Sequence, residues 1–221
     1  MTVMTPNRED YLKLILELGG DKKKVSNKQI VSGLTISGAS VSEMISKLVK
    51  EGLVSHSPYQ GVQLTSLGLE KASTLVRKHR LWEVFLVNHL GYSWNEVHDD
   101  AEVLEHVTSS QLEKRLNTYL EHPAYCPHGG MIPQNGQVIH EKERLTLVDY
   151  PIKTKIRIAR VLDEKDLLDY LVNLKVNIHE EFTITDIAAY EGPITLTNDQ
   201  KQVSISYKAA STIFVDQIEG E

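Results

Sequence analysis

Cysteine is nearly absent: Cys126 stands alone in 221 residues, which excludes an internal disulfide. Long apolar runs are absent as well, and no segment approaches the ~20 apolar residues that cross a bilayer. Met1 to Leu18 carries Arg8, Glu9, Asp10 and Lys13 and has neither an apolar h-region nor a small-residue cleavage site. We therefore expect no membrane partner and a cytoplasmic chain. There is no glycine-rich phosphate loop, no Gly-x-Ser-x-Gly elbow, no repeat and no low-complexity tract. Di-metal oxidases of the ferritin type want four long helices with a repeated Glu-x-x-His. Here one long helix is visible and Glu-x-x-Glu-His occurs once. The chain reads as a non-enzyme without an organic cofactor. What is present is an ordinary globular balance, 41% hydrophobic and 24% charged, which excludes disorder as a description of the whole.

The net charge of −6 is unevenly spread. Residues 1–74 carry +2, residues 75–145 carry −3 and residues 146–221 carry −5. A slightly basic head on an acidic body suits conditional rather than constitutive binding to nucleic acid. The pattern divides in the same way. Tyr11, Leu14, Ile15 and Leu18 make one helix face, with Asn7 as its expected N-cap and Gly19-Gly20 as its end. Ser26 caps a second short helix. Ser37 caps a third, with Val41, Met44, Ile45, Leu48 and Val49 inward and Gly52 as the stop. Leu53 to Ser57 and Val62 to Leu64 read as a hairpin through Pro58 and Gly61. Three helices and a hairpin make a winged helix-turn-helix over residues 1–74. On its third helix Ser37, Ala39, Ser40 and Glu43 are placed to meet base edges of double-stranded DNA. Ser42 and Lys47 are placed to meet phosphates. A helical domain making only protein contacts fits the same pattern.

Residues 75–140 read as a helical domain. A long helix capped by Thr65 or Ser66 runs to Leu90, followed by helices over Asn95–Val107 and Ser109–Leu120. The apolar surface of Leu75, Val76, Leu81, Trp82, Phe85, Leu86 and Leu90 exceeds what three helices cover, which points to a homodimer. A Pro/Gly-rich loop spans Glu121 to Gly136, and residues 137–148 read as an extended linker. Residues 141–221 alternate as short strands with one helix, over Leu167–Leu174, and are expected to form a small SH3-like (FeoA-like) β-barrel. The fold class is thus mainly α with a small β domain.

Ligand-type side chains gather in the middle third. His79 and Glu83 share a helix face, as do His98 and Glu102, and Glu102, Glu105 and His106 stand at i, i+3, i+4. Cys126 and His128 lie two apart in the loop. Two carboxylates with an imidazole suit Mn²⁺ or Fe²⁺, whereas thiolate with imidazole favours Zn²⁺. Each pair, taken alone, is also an ordinary solvated pair or a small buried group.

Several segments together resemble the diphtheria-toxin-repressor family of iron- and manganese-dependent repressors, above all its three-domain manganese regulators. They are Pro6 to Leu12, Ser37 to Glu43, Gly61 to Gly68, Arg77 to Glu83, Ala101 to His106 and Cys126 to Gly129. The resemblance covers essentially the whole chain. It implies two metal ions per chain. One site would join Asp10 to Glu102, Glu105 and His106. The other would join His79, Glu83, His98, Cys126 and His128, with Asp163 added from the C-terminal domain. Iron-sensing members carry Cys and Met where this chain has Glu102 and Asp10, and the harder oxygens favour Mn²⁺. The implied function is a metal-dependent repressor of palindromic operators. A winged-helix regulator answering to a small organic ligand is the alternative.

Overall fold

The computed structural model describes residues 4–134, 136–139 and 145–218. The chain falls into two compact units. The first comprises Met1–Trp82, Glu102–His122 and Ile132–His140; the second comprises Glu83–Ala101, Pro123–Met131 and Glu141–Glu221.

The first unit opens with α1 (Pro6–Glu17), α2 (Asn27–Leu34) and α3 (Gly38–Lys50). Thr5, not Asn7, is the N-cap of α1. Pro6 has no N–H to satisfy and a φ already suited to a helix, so it starts the first turn itself and moves the cap two residues back. Ser26 closes a capping box with Gln29 at the start of α2, and Ser37 Oγ accepts from Ser40 N to cap α3. Val41, Ile45 and Leu48 turn inward from α3. Val49, expected inward, is 39% exposed, because it lies a further 100° round the helix from Leu48.

β1 (Val54–Ser57) and β2 (Gly61–Leu64) form the antiparallel hairpin. Val25 and Val62 exchange both backbone hydrogen bonds, at 2.7 and 2.9 Å, tying the wing to the entry of α2. Gly61 permits this: a Cβ there would stand 2.2 Å from Val25 O. The core comprises Tyr11, Leu12 and Ile15 of α1, Ile30 of α2, the α3 residues above, and Val54, Val62 and Leu64 of the wing.

The long helix α4 (Ser66–Leu90) begins in this unit, with Gly68 N donating to Thr65 Oγ1. α5 (His98–Val107) from Glu102 onward and α6 (Ser110–Tyr119) complete it. Arg77 of α4 is buried; it meets Glu113 of α6 at 2.7 Å and the Pro133 carbonyl. Asn95 was expected to open α5, but residues 94–97 form a separate turn. Ser93 N and Oγ both donate to the Glu96 carboxylate, which closes that turn before the helix begins at His98.

The second unit is built on a five-stranded antiparallel sheet in the order β6-β5-β4-β3-β7. Its strands are β3 (Lys155–Val161), β4 (Glu181–Ile187), β5 (Ile194–Thr197), β6 (Gln202–Ile205) and β7 (Ile213–Gln217). This sheet is the small β domain expected from the alternating short strands. α7 (Lys165–Asn173) packs Leu167, Leu168 and Leu171 into its core. A second short helix, α8 (Tyr207–Ala210), was not expected; Ser206 caps it. Glu141 to Arg144, read as charged linker, lie outside the described residues. The linker reading ends early, because Leu147–Asp149 form a 3-10 turn closed by Thr146 and the Asp149 carboxylate.

Candidate metal centres and the exposed third helix

Among the described residues, each unit holds within itself one cluster of ligand-type side chains. In the first unit, α1 supplies Asp10 and α5 supplies Glu102, Glu105 and His106. One ligand atom from each lies within 4.8 Å of the others. The i, i+3, i+4 spacing places the α5 trio on one face. His106 Nε2 stands 3.0 Å from Asp10 Oδ1 and 3.8 Å from Glu105 Oε1. Its Nδ1 meets Glu9 Oε2 at 2.7 Å, so the Glu9 carboxylate orients the ring and leaves Nε2 facing the cluster.

Three further contacts bind α1 to this cluster. Lys13 Nζ donates to Glu102 Oε2 at 2.5 Å and to Glu105 Oε2 at 3.0 Å, and lies 3.1 Å from His79 Nδ1. His79 Nδ1 is in turn 2.5 Å from Glu105 Oε2. Glu105 is fully buried, and His79 and Lys13 nearly so.

Charge is concentrated here. Burial raises the Asp10 carboxyl above its ordinary value, with Glu102 and Glu105 adding to the rise against His106 and Lys13. Burial by itself would lower the Lys13 ammonium, but Glu105, Glu17 and Glu102 outweigh it and hold it above the usual lysine range. Asp10 Oδ1 and Glu105 Oε1 are buried and accept no hydrogen bond among the described residues. Buried carboxylate oxygens in that condition are costly unless a cation meets them. Three carboxylates and one imidazole therefore fit a hard or borderline divalent ion.

The second unit brings together Glu83, Cys126 and His128, all buried, with one ligand atom each within 4.8 Å of the others. His128 Nδ1 is 2.9 Å from Glu83 Oε1 and 3.8 Å from Asp163 Oδ1. Its Nε2 donates to the Trp94 carbonyl at 2.6 Å. A carbonyl only accepts, so Nε2 carries a proton and Nδ1 is the nitrogen that could ligate once its own proton has left. Asp163 also holds His98 Nδ1 at 2.7 Å. His98 and Glu102, four apart on α5, thus take different partners.

The loop is fastened by backbone. Cys126 N donates to Gly130 O, Gly129 N to Cys126 O, and Val161 N to His128 O at 3.0 Å. Gly129 has φ +79°, and a Cβ there would lie 2.1 Å from Ala159 O. Only glycine lets the loop lie this close to β3.

Burial alone would lower the His128 imidazolium, but the Glu83 charge, hydrogen bonds that the ring donates to Cys126 and Glu83, and the Asp163 charge push it up to about 11. At neutral pH its Nδ1 proton must leave before that nitrogen can ligate. Metal binding to this cluster is therefore expected to release at least one proton per ion, and its affinity to rise about tenfold per pH unit well below that value. Calorimetric titration in buffers of different ionisation enthalpy would read this directly, and an enthalpy that ignored the buffer would refute it.

The residues expected at DNA lie along α3. Ser37, Ala39, Ser40, Ser42, Glu43 and Lys47 are all exposed. Several are engaged locally: Ser42 Oγ donates to Gly38 O, and Glu43 pairs with Lys47 at 2.7 Å. At the tip of the wing Tyr59 projects fully into solvent, a residue that hydropathy patterning passed over.

Family models match three successive stretches of the chain. Residues 3–62 match the iron dependent repressor N-terminal DNA binding domain. Residues 65–134 match the iron dependent repressor metal binding and dimerisation domain, and residues 145–217 match the FeoA domain. The solved structure of the manganese regulator SloR is 42% identical, covers 97% of this chain and 100% of its own, and superposes with a TM-score of 0.86. The chain belongs to the iron-dependent repressor family. As a member it is an iron- or manganese-dependent transcriptional repressor. The diphtheria toxin repressor of Corynebacterium diphtheriae is 28% identical over 229 residues, 99% of this chain and 100% of its own. A probable metal transport system membrane protein of Chlamydia trachomatis is 48% identical over 87 residues, 39% of this chain and 19% of that protein.

Within the repressor, sequence reasoning missed Glu9 and the Trp94 carbonyl as partners of the two clusters. Glu9, Asp10 and Lys13 stand at i, i+1, i+4 on α1, a spacing that shares one helix face and was the available signal. The Glu9→Gln variant is expected to weaken metal binding roughly 10- to 100-fold without unfolding the chain. Metal titration set beside a thermal melt would check both halves of that expectation.

Proposed function

We propose that this repressor uses Mn²⁺ as corepressor, binds a palindromic operator as a homodimer, and controls genes for metal uptake in the cytoplasm. The observation that carries this reading is the cluster of Asp10 with Glu102, Glu105 and His106. It joins the first helix of the DNA-binding domain to a helix of the metal-binding domain within one compact unit. Its hard donors favour Mn²⁺ over Fe²⁺. The Glu83, Cys126 and His128 cluster, with Asp163 and His98 beside it, would hold a second ion per chain and admits Zn²⁺.

A bound divalent ion supplies the positive charge that allows three carboxylates to share one small space. The chain does the rest. Asp10, Glu102 and Glu105 repel one another when that charge is missing, a repulsion that the Lys13 ammonium offsets only in part, and the hold between the helices bearing them is then weaker. Drawn together, they set the angle of the winged helix against α5. Val103 and Val107 are 66% and 72% exposed at i, i+4 on α5, an apolar pair suited to a second copy. In such a dimer that angle fixes the separation of the two α3 helices, which must match half-sites about one helical turn apart. Ser37, Ala39, Ser40 and Glu43 would then read base edges, with Ser42 and Lys47 on phosphate. Metal and operator affinities are reciprocally linked. The Chlamydia relative, in which a similar segment belongs to a metal-transport protein, supports the connection to uptake.

Fluorescence anisotropy with a labelled palindromic operator at fixed salt tests this reading. Affinity should appear with Mn²⁺, vanish with chelator, and be lost in Glu102→Ala. Binding indifferent to chelator would sink it and point to an organic effector.

A further inference from the structure

One turn of α1 is gripped from two directions. We propose that the Arg8–Glu51 ion pair carries the state of α1 to the rear of α3, with Arg8 and Glu51 as positioning residues for operator binding. This rests on the metal-dependent reading above and concerns how a change at α1 reaches the helix that meets DNA.

Three consecutive residues make the connection. Glu9 Oε2 meets His106 Nδ1 at 2.7 Å, and Asp10 Oδ1 lies 3.0 Å from His106 Nε2. Arg8, a 100° step round the helix from Glu9, turns to α3 instead. Its Nη1 pairs with Glu51 Oε1 at 3.0 Å. The two helices share an apolar core, but their backbones lean elsewhere: α1 mainly on α2 and β2, α3 mainly on α2 and β1. The ion pair reaches directly from one to the other.

Glu51 has no local reason for its charge. It is the C-cap of α3, where a carboxylate faces the negative end of the helix's own dipole; Lys47 and Lys50 in the last turn suit that end. Its partner is therefore sought outside α3. The Arg8 and Glu51 side chains are 25% and 37% exposed, so both charges are partly withdrawn from solvent. The position also gives leverage. α3 has 13 residues and is about 20 Å long. Ser37, Ala39, Ser40 and Glu43 stand at its front and Glu51 at its rear. A grip on the rear fixes the tilt of the front. When Asp10 and its neighbours are drawn towards α5, Arg8 moves with them and Glu51 follows.

The test is the Mn²⁺ affinity of the full-length chain, measured with and without a palindromic operator duplex. The ratio of the two affinities is the linkage between metal and DNA, and effects of charge on DNA common to both metal states cancel from it. Arg8→Met and Glu51→Gln should each lower this ratio by about 3- to 20-fold, because a partly exposed pair is worth up to roughly 5-fold per chain and a dimer holds two. The double variant should lose no more than either single one, and Arg8→Lys, which keeps the charge, should retain most of the ratio. Mn²⁺ affinity without DNA and the thermal midpoint should stay at the parent's values, which a merely structural pair would not allow. An unchanged ratio in both single variants, or losses that add in the double one, would overturn the inference and leave the metal-dependent reading intact. A midpoint that falls together with the ratio would assign the pair to stability and overturn it as well. No linkage in the parent chain would overturn both.

Discussion

Replacing Glu105 with alanine should abolish metal-dependent operator binding and also lower the thermal midpoint by about 10 °C. The two effects have separate causes. Removing Oε1 takes away the buried acceptor that waits beside Asp10 and His106. Removing Oε2 takes from Lys13 one of the three carboxylates that offset its burial. Breaking a buried ion pair from one side costs roughly 3–5 kcal/mol, because the surviving charge stays in a poorly solvating place. Glu105→Gln separates the two effects. It keeps the shape and one carbonyl acceptor, so the midpoint should fall less, while metal-dependent binding is lost as fully. Differential scanning calorimetry and operator anisotropy, run on both variants, supply the comparison. A Glu105→Ala chain that still answered to Mn²⁺ like the parent would remove this residue from the metal site.

The other large effect should come from a single methyl group. Gly129→Ala places a Cβ 2.1 Å from Ala159 O at a residue with φ +79°. The left-handed backbone alone costs a non-glycine residue roughly 1–3 kcal/mol. The steric conflict is with backbone, which has no rotamer to yield. Relief requires the loop to lift from β3 and give up the hydrogen bond from Val161 N to His128 O. Cys126 and His128 ride on that loop, so the Glu83 cluster should lose at least 10- to 100-fold in metal affinity, the range seen when supporting contacts are lost. The Asp10 cluster draws nothing from this loop. Counting tightly bound ions per chain should show one lost and one kept, and an unchanged count would mean that the loop does not need this approach to β3.

These two sites differ in how far the sequence announced them. Glu102, Glu105 and His106 share a helix face by spacing alone, so periodicity was sufficient to group them. The serine caps at Ser26 and Ser37 were equally legible, because the hydrogen bonds they make are local. Cys126 and His128 were grouped only because they lie two apart in the loop. They do meet, but through a tight turn in which Gly129 N returns to Cys126 O. The contacts that give each cluster its electrostatics were not legible. Glu9 to His106, Lys13 to Glu105 and His128 to Glu83 each join segments far apart in sequence. Such pairs exist only once helices dock, and no local period encodes them. The Asn7 and Val49 readings failed for the opposite reason: a proline and a single 100° step on a helix overrode a generic pattern.

The sheet of the second unit has a bearing on solubility. Strand edges offer unpaired backbone groups and are the usual starting point for strand-to-strand aggregation. Here both edges are blunted. Thr146 bridges to Phe214 of β7, and Val215 N donates to Leu145 O, so the chain covers that border with its own backbone. At the other border β6 is only four residues long. The Tyr170 hydroxyl donates to Ser204 O and accepts from Ser206 N, occupying groups that an incoming strand would seek. Copies of this chain are thereby discouraged from adding to one another through β-sheet, and self-association is left to the helices.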